Sequence, residues 1–588
     1  MRTRHLYALP VIALAMAYAH RMGWQVVDDA GISLLYGQTF FRGLGFRITA
    51  LSQEVEAFSS APWTVLLGLS VPLHVGGEAW ARWLGMALGA WASWVASGWV
   101  RNRGQSLPVG VRALASLWAS ALPCFAAWSS SGMETGYFAL VLAYAGRSVL
   151  QSRDERGIST GLWLGLLSIS RPEGPLYVAA ACLFSLGDRA SFTATWRRAF
   201  SLGFVAAAVF ASYLAFRWLR FADIWPNTYW AKRLFDFGAK DYVGSFFVSH
   251  ARYLAATAGL GALSLFSGWA RFRTAALALS WVLCTAAFAF WARGDWMGEW
   301  RFLVHVAPML AAVASAGLAS AYEGLSWGRR SVALSFGAAA FVAFPNLKER
   351  HAISVASSQF YFEAVKQTAA SNKAAVDALG IARPTVGVTD LGGFASVFAN
   401  ADIVDLAGLG DRAMAWHTGN LKAQEDYLLF DAMPDVFDAH GPAGHFVHYA
   451  ALASHVQGLP GTGLRQWAGL TSTHDPRCPA PLEEVRAWKD SDVAARLGDA
   501  LSADDPLAAL KLLKCAHRHK PEALPPRVVT DGCVEKAVHH TEEMETQGKT
   551  EAALRWMSLA TTCGLQDNHL RRKTEKLRER LHPRPPPT

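Results

Sequence analysis

Apolar residues fall into long runs up to about residue 344 and then give way to ordinary polar alternation. A bilayer-crossing helix needs about 20 mostly apolar residues. The runs 6–19, 80–100, 109–128, 136–150, 200–218, 253–269, 274–291, 302–322 and 332–345 predict such helices. The first follows Arg2, Arg4 and His5, and no small-residue cleavage site precedes Trp24, so it reads as an uncleaved span rather than a signal peptide. Residues 62–75 are short and contain Pro62 and Pro72, which suits a helix lying in the interface. The runs 157–170 and 175–186 are split by Arg171-Pro172-Glu173-Gly174. Each is only about 20 Å long as a helix, so the pair is either two short crossings with a polar apex or a re-entrant hairpin.

The later chain predicts a separate soluble part. Residues 359–379 have helical periodicity, 385–389 and 403–406 read as short buried strands, and Pro460-Gly461, Gly463 and Asp475-Pro476 mark loops. From 482 onward the pattern is helical. The stretches 505–516 and 550–563 resemble each other, which suggests paired helical hairpins before a disordered tail at 583–588. The expected domains are 1–346, transmembrane; 347–480, mixed α/β; and 481–588, helical hairpins with the tail.

Composition agrees with a polytopic α-helical membrane protein. Apolar residues make up 52% and charged residues 17% of the chain, against roughly 25% charged in soluble proteins. The 24 Trp suit membrane interfaces, where the ring has one dry and one wet side. Disordered, fibrous and small disulfide-scaffold classes are excluded. The net charge of +9 does not predict nucleic-acid binding, because the basic residues sit between apolar runs rather than on one stripe. They orient the spans instead. With a cytoplasmic N-terminus and 62–75 interfacial, Arg101/Arg103, Arg147/Arg153/Arg156, Arg189/Arg197/Arg198, Arg271/Arg273 and Arg329/Arg330 all fall inside. The count is then about eleven spans, and the chain emerges outside after 345. The expected location is the bacterial cytoplasmic membrane, with both later domains extracytoplasmic. Cys124, Cys182 and Cys284 lie in spans, whereas Cys478, Cys515, Cys533 and Cys563 fall in the outer part. An oxidising compartment allows two disulfides among these four, with three connectivities. Zinc is the rival reading, but no Cys-x-x-Cys spacing supports it, and at least one bridge is expected.

The outward loops carry carboxylates and cations beside apolar helices, where they are costly and tend to be functional. Asp28-Asp29 follows the first span. Two adjacent carboxylates there supply a general base or a divalent-cation ligand; the plainer alternative is a solvated turn that caps the next helix. His74, His305 and His417 lack metal-ligand spacing and read as packing or surface histidines.

The segments Asp28-Asp29-Ala30-Gly31-Ile32-Ser33-Leu34-Leu35-Tyr36, Gly43-Leu44-Gly45-Phe46, Val55-Glu56-Ala57-Phe58-Ser59 and Trp63 resemble the first outer loop of GT-C membrane glycosyltransferases. Among these, the chain is most similar to bacterial terminal arabinofuranosyltransferase-like proteins. Gly132-Met133-Glu134-Thr135, Arg171-Pro172-Glu173-Gly174, Pro226-Asn227-Thr228-Tyr229 with Lys232, Gly294-Asp295 and Arg301-Phe302 continue the likeness in order. Thr389-Asp390-Leu391-Gly392-Gly393 and Asp405-Leu406-Ala407-Gly408-Leu409 extend it to residue 411. Gly31, Leu35 and Ala57 depart from the family's aromatic, arginine and glycine, and the lost arginine removes one phosphate or acceptor contact.

The resemblance implies a transferase that moves a sugar from a polyprenyl-phosphate donor to a cell-envelope glycan, lipid or protein acceptor, with membrane lipids around it. Asp28 is implied as general base and Asp29 as its orienting or metal-binding partner, or the reverse. Arg171, Lys232 and Arg301 are implied contacts to the donor phosphate. Glu56, Glu134, Glu173 and Asp295 are implied partners of sugar hydroxyls, and Asn227 and Tyr229 belong to the same donor- or acceptor-binding set. No cofactor is required by the pattern; a divalent cation at Asp28 or Asp29 is the one it leaves open. Each residue has a structural alternative: Arg171 pairing with Glu173, Lys232 snorkelling, Asp295 and Arg301 anchoring helix ends, and Glu134 complementing a helix dipole. Two other functions compete, a transporter or flippase of lipid-linked sugars and a non-catalytic envelope scaffold.

Overall fold

The computed structural model describes residues 8–22, 25–102, 105–151, 157–187, 192–265, 268–324, 361–438, 450–524, 527–564 and 567–584. Contacts divide the chain into two compact units, one of Met1–Leu34, Ser59–Leu214 and Phe235–Phe362 and one of Leu35–Phe58, Ala215–Leu234 and Glu363–Thr588. The second thus gathers residues 35–58 and 215–234 with the C-terminal chain.

Helices occupy eight of the nine expected spans: Ala8–Met22, Gly77–Ala96, the pair Val109–Ser120 and Pro123–Ser130, Thr135–Gln151, Phe192–Phe221, Ala251–Leu265, Trp269–Trp291 and Ala307–Gly324. The ninth, at 332–345, and residues 585–588 of the tail lie outside the described residues. The expected count of about eleven crossings is supported in part by helix length and composition. Among the described residues only Thr195–Phe221, Trp269–Trp291 and Arg301–Ser320 are long and apolar enough to cross, or four with the pair Val109–Ser120 and Pro123–Ser130, which is bent by 77°. Residues 62–75 begin with an eight-residue helix, Ala61–Gly68, and the split pair forms Ile158–Ser170 and Gly174–Leu186.

Small residues let the helices of the first unit approach closely. A Cβ on Gly136 would collide with the Gly85 carbonyl, so Thr135–Gln151 and Gly77–Ala96 cross backbone to backbone. Trp63, Trp99 and Trp128 are fully buried, and their indole N–H groups donate to the carbonyls of Gly132, Ala143 and Glu299 at 3.0, 2.8 and 2.9 Å. The outer faces differ. Phe200 and Leu219 on Phe192–Phe221 and Leu283 and Trp291 on Trp269–Trp291 are 69–78% exposed. Such apolar surface on long helices needs lipid rather than water.

The second unit contains a sheet of β1 (Thr385–Val388), β2 (Asp402–Asp405), β3 (Val436–Asp438), β4 (Val456–Gly458) and β5 (Arg465–Trp467), in the order β2-β1-β3-β5-β4. The first three are parallel, and β5 runs antiparallel to β3 and β4. The helices Asp490–Ser502 and Pro506–His519 form one pair, and Arg527–Thr546 and Thr550–Cys563 another, each joined by three residues. Asp505 caps the second helix by accepting from the Ala508 amide, with Pro506 at its first position. Disulfides join Cys478 to Cys515 and Cys533 to Cys563, while Cys124, Cys182 and Cys284 are in no disulfide.

Candidate active site

In the first unit, motif residues far apart in sequence meet. Asp28 and Asp29 open the helix Asp28–Phe41, where carboxylates complement the helix dipole. Asp28 is 8% exposed. Arg301, nearly buried, lies between two carboxylates: its Nη1 is 3.2 Å from Asp29 Oδ2 and its Nε 2.7 Å from Asp295 Oδ2. Arg171 joins a second group, with Nε 2.6 Å from Glu173 Oε1 and Nη1 on Glu134 Oε1. The two groups adjoin, since Arg171 and Arg301 stand 5.8 and 5.4 Å from the centroid of the Phe302 ring. Asp28, Asp29, Glu134, Arg171, Glu173, Asp295 and Arg301 are therefore brought to one region of this unit.

Four of these carboxylates, without Asp28, face two guanidinium groups. Both arginines are already matched, so the surplus charge suits a cation better than a phosphate. Glu173 has one open position. Its Oε1 takes Arg171, but its buried Oε2 has no hydrogen-bond partner among the described residues. Buried acceptors are rarely left without a donor, and a sugar hydroxyl would supply one.

Sequence reasoning set His305 aside, yet it is buried beside this cluster, with Nε2 3.0 Å from the Tyr177 hydroxyl and 3.8 Å from Glu173 Oε1. The available signal was its position four residues after Arg301, the spacing that places side chains on one helical face. Tyr177 carried no signal of its own. His417 is also buried and pairs with Glu575 at 2.7 Å, whereas His74 is exposed.

Glu56, Asn227, Tyr229 and Lys232 belong to the second unit. Arg217 grips Glu56 through Nε and Nη2 at 2.7 and 2.9 Å. Asn227 donates from Nδ2 to the carbonyls of Gly408, Leu409 and Asp411 at 2.8, 2.8 and 3.1 Å. It thereby clamps the turn after β2. Asp405 closes the same turn by accepting from the Ala407 and Gly410 amides at 2.9 and 2.7 Å. Asp411 caps Arg412–Trp416 and accepts from the Tyr427 hydroxyl at 2.7 Å. Burial pushes both the Asp405 and the Asp411 carboxyl up to about 7. Tyr229 stacks on Trp225 at 4.8 Å. Lys232 is half-buried, with no hydrogen bond or ion pair among the described residues.

Neither Asp28 nor Asp29 belongs to a group of three converging His, Cys, Asp or Glu ligand atoms. Among the described residues that arrangement occurs at Asp475, Cys478 and His519. It is no metal centre, because the Cys478 sulfur is bonded to Cys515 and a metal needs a thiolate.

No family model matches the chain, and no curated protein does. Solved structures align with it, among them two of one protein. ArnT from Cupriavidus metallidurans bound to undecaprenyl phosphate is 15% identical, with 76% of this chain and 84% of that one covered and a TM-score of 0.44. The same protein in the apo state is 14% identical, with 73% and 80% covered and a TM-score of 0.41.

Proposed function

We propose that the chain is a membrane glycosyltransferase that moves a sugar from a polyprenyl-phosphate donor to a hydroxyl of an envelope glycan, lipid or protein. The supporting observation is the convergence of Asp29, Glu134, Arg171, Glu173, Asp295 and Arg301 in the first unit. In this reading Asp29 is engaged by Arg301, and Asp28 takes the proton from the acceptor hydroxyl as the hydroxyl oxygen attacks the anomeric carbon; the bond from that carbon to the donor phosphate oxygen breaks with inversion, and polyprenyl phosphate leaves. Arg171 and Arg301 position the carboxylates around them, and Glu134, Glu173 and Asp295 receive sugar hydroxyls. Lys232 keeps the reading of a phosphate contact on its chemistry, as a cation without a carboxylate. A divalent cation, where one is used, would bind at Asp28 or Asp29. The two disulfides support an oxidising, extracytoplasmic compartment for the second unit.

The test uses purified full-length protein in lipid vesicles with a panel of polyprenyl-phosphate sugars and envelope acceptors. Transfer of sugar to an acceptor is the expected result. Movement of intact lipid-linked sugar across the vesicle wall, with no transfer from any donor, would favour a flippase.

A further inference from the structure

The second unit contains a partly enclosed cavity of about 340 Å³ that none of the assignments above uses. It lies where Thr385 and Asp402 begin β1 and β2, beside residues of the helices Pro506–His519, Thr550–Cys563 and Asn568–Leu581. Its volume is at the lower end of the roughly 300–1,000 Å³ typical of small-molecule sites.

Its charges are unbalanced. Arg383, Lys514 and Arg571 line it, and among the described residues no carboxylate comes within 4.0 Å of their cationic nitrogens. Arg571 has only a 3.5 Å contact to Gln53 Oε1. The lining carboxylates are mostly committed elsewhere: Asp411 to Tyr427, Asp431 to Arg578 and Ser558, and Glu575 to Arg578 and His417. Only Asp402 has a side chain with no hydrogen bond among the described residues. Three unpaired cations thus face one unpaired carboxylate. The positive field also acts on His517, whose imidazole is lowered to about 4 by burial and then by Lys514 and Arg383.

Hydroxyls complete the lining. Ser558, Thr561 and Thr562 share one helical face and donate to Asp431 Oδ2, the Met557 carbonyl and the Ser558 carbonyl at 3.0, 2.9 and 3.0 Å. A hydroxyl that donates keeps lone pairs to accept with; Ser558 and Thr562 line the cavity in that state, and Thr561, also in the lining, has its oxygen 2.8 Å from Thr574 Oγ1 as well. Cations in excess of the carboxylate they face, beside a row of acceptors, match a ligand that is anionic at one point and rich in hydroxyl donors elsewhere.

We propose that this cavity binds an anionic saccharide unit, one sugar ring bearing a carboxylate or a phosphate. Arg383, Lys514 and Arg571 hold the oxyanion, and Ser558, Thr561 and Thr562 accept from ring hydroxyls. This site stands whether or not the first unit transfers sugar.

The test is calorimetric titration of the full-length protein with glucuronate, glucose 6-phosphate, inorganic phosphate and glucose. At least one of the two anionic sugars should bind saturably, and at least about tenfold more tightly than inorganic phosphate, with no binding of glucose. Lys514→Gln with Arg571→Gln should weaken that binding by about tenfold or more while leaving unchanged or raising the unfolding temperature of the free protein. If the double variant does not fold, Lys514→Gln alone and Thr562→Val carry the same expectation. No saturable binding of either anionic sugar would overturn the proposal. So would inorganic phosphate binding as tightly as the sugars, or an affinity unchanged in every folded variant.

Discussion

Arg171→Met separates a buried ion-pair group from its surroundings. Arg171, Glu134 and Glu173 have side chains only 3%, 4% and 0% exposed, and among the described residues Arg171 is the one arginine or lysine that pairs with both carboxylates, at 2.6 Å to Glu173. Its removal leaves two buried carboxylates without their guanidinium. Removing one partner of a buried pair typically costs about 3–5 kcal/mol, because the remaining charge stays desolvated. Replacing all three with Arg171→Met, Glu134→Gln and Glu173→Gln removes the charges together, and most of the loss should return. Reversible unfolding of wild type, Arg171→Met, the double variant Glu134→Gln with Glu173→Gln and the triple variant in the same detergent gives the coupling energy by a mutant cycle. A loss below about 1 kcal/mol in Arg171→Met, or a triple variant as unstable as the sum of its parts, would refute this account of the cluster.

Three other outcomes are expected. Burial raises the Asp405 and Asp411 carboxyls to about 7, so each favours the folded state in its protonated form. That stability is complete below the ordinary carboxylate range and is lost as pH rises through about 7, by up to about 4 kcal/mol each. Asp411→Asn should flatten the dependence of unfolding temperature on pH between about 4 and 7, and an unchanged profile would count against it. Asn227→Ala leaves the Gly408, Leu409 and Asp411 carbonyls without their shared donor. It should cost about 1–3 kcal/mol and speed hydrogen exchange around residues 405–414, and normal protection there would oppose the clamp. Non-reducing alkylation followed by mass spectrometry should label Cys124, Cys182 and Cys284 and leave the Cys478–Cys515 and Cys533–Cys563 peptides joined. Label on any of those four would contradict the pairing.

The legible and illegible parts of this chain follow different physical rules. Local patterns showed the strands at 385–389 and 403–406, which form β1 and β2, because a short apolar run between turn residues has few other solutions. The Cys positions signalled bridges, but their connectivity required the packing of helices around residues 478–563. Apolar runs located the helices, but hydropathy does not fix where a helix bends or ends. The break between Val109–Ser120 and Pro123–Ser130 shows this, with Pro123 at the start of the second piece. Site chemistry was legible as residue types. The Arg171–Glu173 pair was legible too, two residues apart in sequence, but the long-range partners were not: nothing in the order of the chain announces that Arg301 reaches Asp29, or that Asn227 serves the turn at 408–411.

The central claim, that Asp28 is the base of a glycosyl transfer, is tested most directly by single-turnover transfer. The assay uses the purified full-length protein, polyprenyl-phosphate sugar and acceptor in excess, comparing wild type with Asp28→Asn. The predicted result is a rate lower by about 10²–10⁴-fold with donor binding retained. A variant that transfers sugar at the wild-type rate would contradict the account.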